Sequence, residues 1–166
     1  RAVLSHGDAS VPTVVTQLEP RSAELHYRGY SRLYRESPTG PHLFDYSKVE
    51  TGPRFRDMRG SFTRYGPVTE LLRSEDDDYV IMNAGDEMTL VFDTGHLPDL
   101  PEGWLRQYVL YSDGWVKDAD LHTAFSQTVA PLPFHGMGGY PAHDPKVVTA
   151  SSYQTREVSD TAFRDA

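Results

Sequence analysis

The chain has 166 residues, a net charge of −8, 13 glycines, 12 prolines and no cysteine. This length suits one domain with a sizeable core. The absence of cysteine excludes disulfides, thiolate zinc sites and thiol nucleophiles. The acidic excess repels nucleic-acid phosphate, and no apolar run approaches the ~18 residues that span a bilayer. We therefore expect neither a nucleic-acid partner nor a membrane-spanning segment.

The N-terminal part is predicted to be a linker followed by two strands. Residues 1–10 (RAVLSHGDAS) are small and polar and read as a linker or a frayed end. They contain no initiator Met and no signal sequence, which favours a processed product or a piece of a longer polypeptide. The β-branched run in 11–20 predicts a strand, and 23–34 predicts another, with a bulge at Gly29 where the alternation slips by one residue.

The middle of the chain carries the one predicted helix and the clearest hairpin pattern. Residues 42–66 read as irregular strands and turns. In 67–78, apolar residues at i, i+3 and i+4 after Pro67 predict a helix of about two turns. In 78–95, two strand-like runs flank Asn-Ala-Gly-Asp, which predicts a β-hairpin with Gly85 at positive φ.

The last predicted strands precede a stretch rich in proline and glycine. Residues 104–116 (WLRQYVLYSDGWV) are apolar on both faces of a strand, which predicts a central strand, and a further strand is expected in 125–129. Many short strands joined by Pro and Gly turns indicate an all-β fold, an antiparallel β-sandwich of jelly-roll or immunoglobulin-like type with one short helix. We expect the sandwich domain to span 11–145 and a polar C-terminal tail to span 146–166.

A longer pattern comprises residues 62–141 and the upstream segment LEPRSAELHYRGYSRLYR (18–35), together more than half of the chain. The stretches DDDYVIMNAGDE, YVLYSDGWVKD and TVAPLPFHGM lie within residues 62–141. Together they resemble a C-terminal region of bacterial FG-GAP (VCBS) repeat proteins, which often carry ASPIC/UnbV segments and are loosely related to cartilage acidic proteins. The resemblance implies an exported, extracellular or periplasmic, accessory module. In that family the repeats form an upstream β-propeller, and no FG-GAP repeat occurs in this sequence. The resemblance supplies no catalytic residues.

The stretch DGWVKDADLH contains the best candidate ligands for a metal. Asp113, Asp118 and Asp120 could present carboxylate oxygens to calcium, which prefers six to eight oxygen ligands. His122 weakens this hypothesis because imidazole nitrogen is a poor ligand for a hard cation. The alternative is a plain turn whose Asp side chains bond local backbone N–H groups. Calcium is the only cofactor that the carboxylate pattern suggests, and none is certain.

The histidines and an acidic run could each bind a ligand or could simply be polar loop residues. His122, His135 and His143, with Met137 nearby, could ligate a transition metal or a non-covalent haem, but their spacing matches no compact metal motif. The acidic run SEDDDY (74–79) could hold calcium or a basic partner. Otherwise these histidines are polar loop residues and the acidic run is a solvated loop.

Aromatic residues on the predicted central strand suggest a binding surface. Trp104 and Tyr108 share one face of such a strand, and Tyr111 and Trp115 share the other. One pair is expected in the core, and the other could contact a protein or stack on a sugar. No nucleophile elbow or phosphate loop is present. The sequence thus predicts a non-catalytic interaction module whose partner is another protein or the rest of its parent polypeptide. The alternatives are a carbohydrate-binding module, calcium-assisted or not, and a metal- or haem-binding electron-transfer subunit.

Overall fold

The computed structural model describes residues 12–50, 58–117, 125–139 and 152–159, and within them the fold is built from short strands. The strands are β1 (Pro20–Tyr27), β2 (Tyr30–Tyr34), β3 (Leu43–Glu50), β4 (Gly60–Phe62), β5 (Gly66–Pro67), β6 (Asp86–Phe92) and β7 (Arg156–Val158). They form a three-stranded sheet of order β5-β1-β6 and two two-stranded sheets, β2–β3 and β4–β7, all antiparallel. The predicted all-β class with little helix is confirmed, while the face-to-face packing of two sheets stays a prediction.

The core lies against one face of the three-stranded sheet. In β1 the side chains of Ala23 and Leu25 are buried, and in the register they stand opposite Leu90 and Met88 of β6. Successive side chains of a strand point to opposite faces, so these four share the inner face. Val68 and Leu71 complete the buried cluster, against which further apolar side chains pack: Leu72, Val80, Met82 and Tyr153.

The one helix among the described residues is a single 3₁₀ turn, Thr69–Leu72, shorter than the two turns predicted from 67–78. Two hydrogen bonds tie this turn to β1, because the Ala23 N–H donates to Thr69 Oγ1 (2.9 Å) and the Val68 N–H donates to the Ala23 carbonyl (2.9 Å). The helix stops where the acidic run begins. There the Asp78 N–H donates to Asp76 Oδ1 (2.9 Å), which is a local turn that competes with further helix.

The hairpin predicted in 78–95 is wrong in its strand pairing, whereas its turn with Gly85 at positive φ is observed. The Asp86 N–H donates to the Asn83 carbonyl (3.0 Å), and Gly85 has φ +84°, as a type II turn requires. The strand after the turn, β6, pairs with β1. Residues 79–83 form no strand, because the backbone of Ile81 bonds Thr63 instead, accepting from its N–H (3.1 Å) and donating to its Oγ1 (2.8 Å).

Two N-terminal strand predictions also need correction. Residues 12–19 form no strand although Val14 and Val15 are β-branched, and both are exposed because no neighbouring strand covers them. At Gly29 the chain does not bulge; it leaves the first sheet and enters the second. Gly29 has φ +100°, and a Cβ there would lie 2.9 Å from Val49 Cγ1, so a residue without a side chain is needed.

Part of the segment predicted as a polar tail (146–166) belongs to the fold. β7 pairs with β4, and Arg156 donates from Nε to the Thr63 carbonyl (3.0 Å) and from Nη2 to Asp86 Oδ2 (2.5 Å). The Asp86 side chain is fully buried, which makes Arg156 its charge partner inside the protein. This polar segment thus contributes Arg156 to a buried ion pair with Asp86. The predicted linker 1–10 lies outside the described residues.

Among the described residues, no helix has the length and apolar character needed to cross a bilayer.

Candidate interaction site

Residues 104–116, called here the aromatic segment, form no strand and expose every side chain. The prediction of a buried central strand is therefore wrong. Exposed fractions reach 90% at Val109 and 99% at Val116, and the smallest exposed fraction among the large apolar side chains is 37%, at Trp104. Trp115 is 54% exposed. The side chains on both faces of this alternating segment are exposed to solvent, because the segment is not part of any sheet of the described fold.

Contacts near its two ends hold the aromatic segment in place. At the start, the Trp104 N–H donates to the Pro101 carbonyl (3.1 Å) and Arg106 Nη2 donates to the Pro98 carbonyl (2.6 Å). Just past its end, Lys117 Nζ donates to the carbonyls of Val129 (3.1 Å) and Ala130 (3.2 Å). Within the described part of the chain, residues 107–112 make no hydrogen bond to another element. Their backbone and side chains are both available.

His135 clamps the end of the aromatic segment to the acidic run. Its Nδ1 lies 3.0 Å from Asp77 Oδ1, and its Nε2 lies 3.1 Å from Asp113 Oδ2. The His135 backbone N–H also donates to Asp77 Oδ1 (2.8 Å). The imidazole stacks on the Tyr79 ring, with centroids 6.4 Å apart and planes 13° apart. Three separate parts of the chain thus meet on one imidazole.

The clamp favours the charged form of the imidazole. Hydrogen bonds to Asp113 first and to Asp77 second raise the pKa of His135, because only the imidazolium can donate from both ring nitrogens. Burial, and then the charges of Asp77 and Asp113, raise the pKa of the Tyr79 phenol. In the same run, the Ser74 hydroxyl and then the Asp78 N–H lower the pKa of Asp76. The acidic run is thus partly neutralised by the histidine.

A shallow open cleft adjoins this clamp. It has a volume of about 300 Å³ and is lined by Asp113, Gly114, Trp115, Phe134, His135, Gly136 and Met137. An aromatic ring and an apolar wall beside a carboxylate are the groups that bind amphipathic ligands such as sugars or peptide side chains. The cleft is continuous with the aromatic segment, since Asp113, Gly114 and Trp115 belong to both.

The predicted site residues therefore fall into separate groups. Asp113 contacts His135, while Asp118 and Asp120 lie outside the described residues, as do His122 and His143, so the calcium hypothesis stays a prediction. Within the described ranges, no group of three or more His, Asp or Glu side chains is placed to hold a metal ion. The four aromatic candidates, Trp104, Tyr108, Tyr111 and Trp115, are all exposed, so the expectation that one pair is core is wrong.

The pairing of Asp77 with His135 was not predicted. The two residues are 58 positions apart, and His135 and Asp113 are 22 apart, so no local pattern joins them. The acidic run was a candidate for holding calcium or a basic partner, and the histidine was a candidate ligand of a transition metal or haem. No family model, curated protein or solved structure matches this chain.

Proposed function

We propose that this chain is a non-catalytic interaction module that binds a protein partner through the aromatic segment, within an exported bacterial protein or envelope assembly. The observation that carries the proposal is the exposure of apolar side chains along the whole of 104–116. Eight large apolar or aromatic side chains are exposed there, whereas monomeric soluble proteins rarely expose contiguous apolar patches larger than a few hundred Å². Covering such a surface is favourable, and Tyr and Trp are the residues that contribute most to protein contacts.

The composition of the aromatic segment supports a protein partner. Its first part, 104–112, has a single charged residue, Arg106, and depletion of charge is typical of the core of an interface. The rim carries charge of both signs, with Asp113 and Lys117 at one end. This pattern resembles a desolvated centre surrounded by a polar border, which is how binding energy concentrates in protein interfaces.

Site-specific photo-crosslinking tests the proposal. A benzophenone amino acid replaces Tyr108 in one variant and Tyr46 in a matched control, because both tyrosines are exposed, at 65% and 73%, and Tyr46 lies on β3. Irradiation in an extract of the source organism should give a discrete adduct from position 108 that position 46 does not give. Equal labelling from both positions, or none from 108, would contradict the proposal.

The cleft favours a second candidate function, carbohydrate binding. Trp115 can stack on the apolar face of a sugar ring while Asp113 accepts a hydrogen bond from a hydroxyl. A glycan array with the whole chain tests this reading. Binding that Trp115→Ala abolishes and Tyr46→Ala leaves unchanged would support it, and an array without signal would exclude the tested sugars.

A further inference from the structure

Residues 104–111 have the sequence of a strand, but no strand among the described residues pairs with them. Leu105, Gln107, Val109 and Tyr111 alternate with Trp104, Arg106, Tyr108 and Leu110. Aromatic and β-branched residues with this alternation fit a pleated surface. Since 107–112 make no hydrogen bond to another described element, their N–H and C=O groups are free to form a ladder. This stretch can therefore donate a strand.

β6 offers a suitable edge to receive it. β6 is an outer strand of the sheet of order β5-β1-β6, and within the described chain no strand pairs with its second edge. Natural edge strands are protected by proline, lysine or a bulge, and β6 (DEMTLVF) has no proline and no lysine. The irregular register of the β1–β6 pairing lies between Pro20 and Ser22 of β1, at the C-terminal end of β6. Its side chains are apolar on both faces toward the C-terminal end, with Leu90 on the core face and Val91 on the other.

The carboxylates at the start of β6 do not protect this edge, because cations already pair with them. Asp86 is bound by Arg156. Glu87 lies 3.0 Å from Arg28 Nε and 3.2 Å from His26 Nε2. A second acidic chain can therefore approach β6 without meeting unpaired negative charge there.

The connection between β6 and the aromatic segment, residues 93–103, is folded into local turns. Residues 93–103 carry Pro98 and Pro101 and are stiffened by their own bonds, including Gly95 N–H to Asp93 Oδ1 (2.9 Å) and Leu97 N–H to the Thr94 carbonyl (3.1 Å). The Arg106 bond to Pro98 holds the start of the segment on this connection. Within the described residues β6 pairs only with β1, so pairing of its other edge with the aromatic segment is open between two chains, as in domain swapping.

We infer that the partner of the aromatic segment is a second copy of this chain, in which residues 104–111 of each copy add as a strand to the outer edge of β6 of the other. This inference rests on the proposed function and names its partner. The exchange is reciprocal, so it closes as a two-fold dimer. Each copy gives one strand and receives one, so the dimer contains two such pairings.

The test measures oligomeric state and amide hydrogen exchange of the whole chain over a range of concentrations. We expect the molecular mass to double with concentration and exchange at amides 105–111 to slow at least about tenfold in the dimer. Val109→Pro should abolish both effects, because proline removes a ladder donor, and Val91→Lys should weaken them by charging the edge. Val14→Pro is the matched control: Val14 is an exposed valine outside the aromatic segment and outside the strands of the described fold, so the same substitution there should leave the dimer intact.

Each contrary outcome has a distinct meaning. A chain that stays monomeric at every concentration with fast exchange at 105–111 overturns the self-pairing, yet a crosslink from position 108 to another protein would still support the proposed function. A dimer that survives Val109→Pro uses another surface and also overturns it. Slow exchange at 105–111 in the dilute monomer would mean that the strand pairs within one chain. Unchanged melting of the dilute variants shows that they remain folded.

Discussion

Replacing Gly85 by alanine should destabilise the protein more than the same change at other glycines. Gly85 has φ +84°, a region that costs an L-residue about 1–2 kcal/mol. An added Cβ would also lie 2.6 Å from Tyr27 Cε2, 3.3 Å from Cζ and 3.4 Å from Cδ2. Real Cβ atoms do not approach so closely, so either the ring or the turn must move.

The size of the effect depends on which of the two moves. The Tyr27 ring is 36% exposed, so it can swing outward at the loss of part of its packing. Movement of the turn is more costly, because the Gly85 carbonyl accepts hydrogen bonds from the N–H groups of Arg28 (2.9 Å) and Gly29 (3.0 Å). With overpacking typically worth 1–3 kcal/mol, we expect Gly85→Ala to lower the free energy of unfolding by about 2–4 kcal/mol, and Gly85→Val by more.

Two other glycines separate the contributions. Gly103 has φ +81° with nothing within 4 Å of an added Cβ, so Gly103→Ala should cost only about 1 kcal/mol. Gly114 has open space and no positive φ, so Gly114→Ala should change little. Denaturant unfolding followed by circular dichroism measures all three. Equal losses at Gly85 and Gly103 would refute the steric role of Tyr27, and a Tyr27→Ala/Gly85→Ala double variant should recover the steric part alone.

Three further predictions concern the clamp, the C-terminal segment and the metal. The pKa of His135 in the folded state is raised above its ordinary 6.5. The hydrogen bonds from the imidazolium to Asp77 and Asp113 are therefore complete below pH 6.5 and are lost as the pH rises through the raised pKa. The fluorescence of Trp115 should accordingly titrate with a midpoint above pH 6.5. Arg156→Met should lower the free energy of unfolding in urea by about 3 kcal/mol, because it leaves a buried carboxylate without its cation. If Asp118 and Asp120 bind calcium, calcium at a hundredfold excess over its Kd should raise the free energy of unfolding of the wild type by about 2.7 kcal/mol relative to EDTA, measured by thermal unfolding. The Asp118→Asn/Asp120→Asn double variant should show no such gain.

Controls make each of these outcomes interpretable. The titration is followed in a Trp104→Phe background, and His135→Gln should remove the transition; a transition that persists would assign it to another group. Arg106→Met is the matched control for Arg156→Met, since Arg106 makes one exposed bond and should matter little. A calcium shift that survives in the double Asn variant would place the ion elsewhere, with the acidic run next to be tested.

The sequence by itself determined the class of the fold and several local features. Glycine and proline among β-branched and aromatic residues indicated short strands, and the strands predicted in 23–34 and 78–95 overlap β1, β2 and β6. The Asn-Ala-Gly-Asp motif predicted the turn and the positive φ of Gly85. These features depend on neighbouring residues, so a local pattern contains the information.

Only the tertiary structure decided which strands pair and which surfaces remain open. The turn at Gly85 suits a hairpin, yet β6 pairs with β1, because Thr63 occupies the backbone of Ile81 that a hairpin would need. Residues 104–116 have the pattern of a buried strand, but burial requires a neighbouring edge, and no edge of the described fold takes them in. The ion pair of Arg156 with Asp86 and the contact of Asp77 with His135 were likewise decided by the tertiary structure. Their partners lie far along the chain, so their roles depend on long-range proximity that composition and periodicity do not encode.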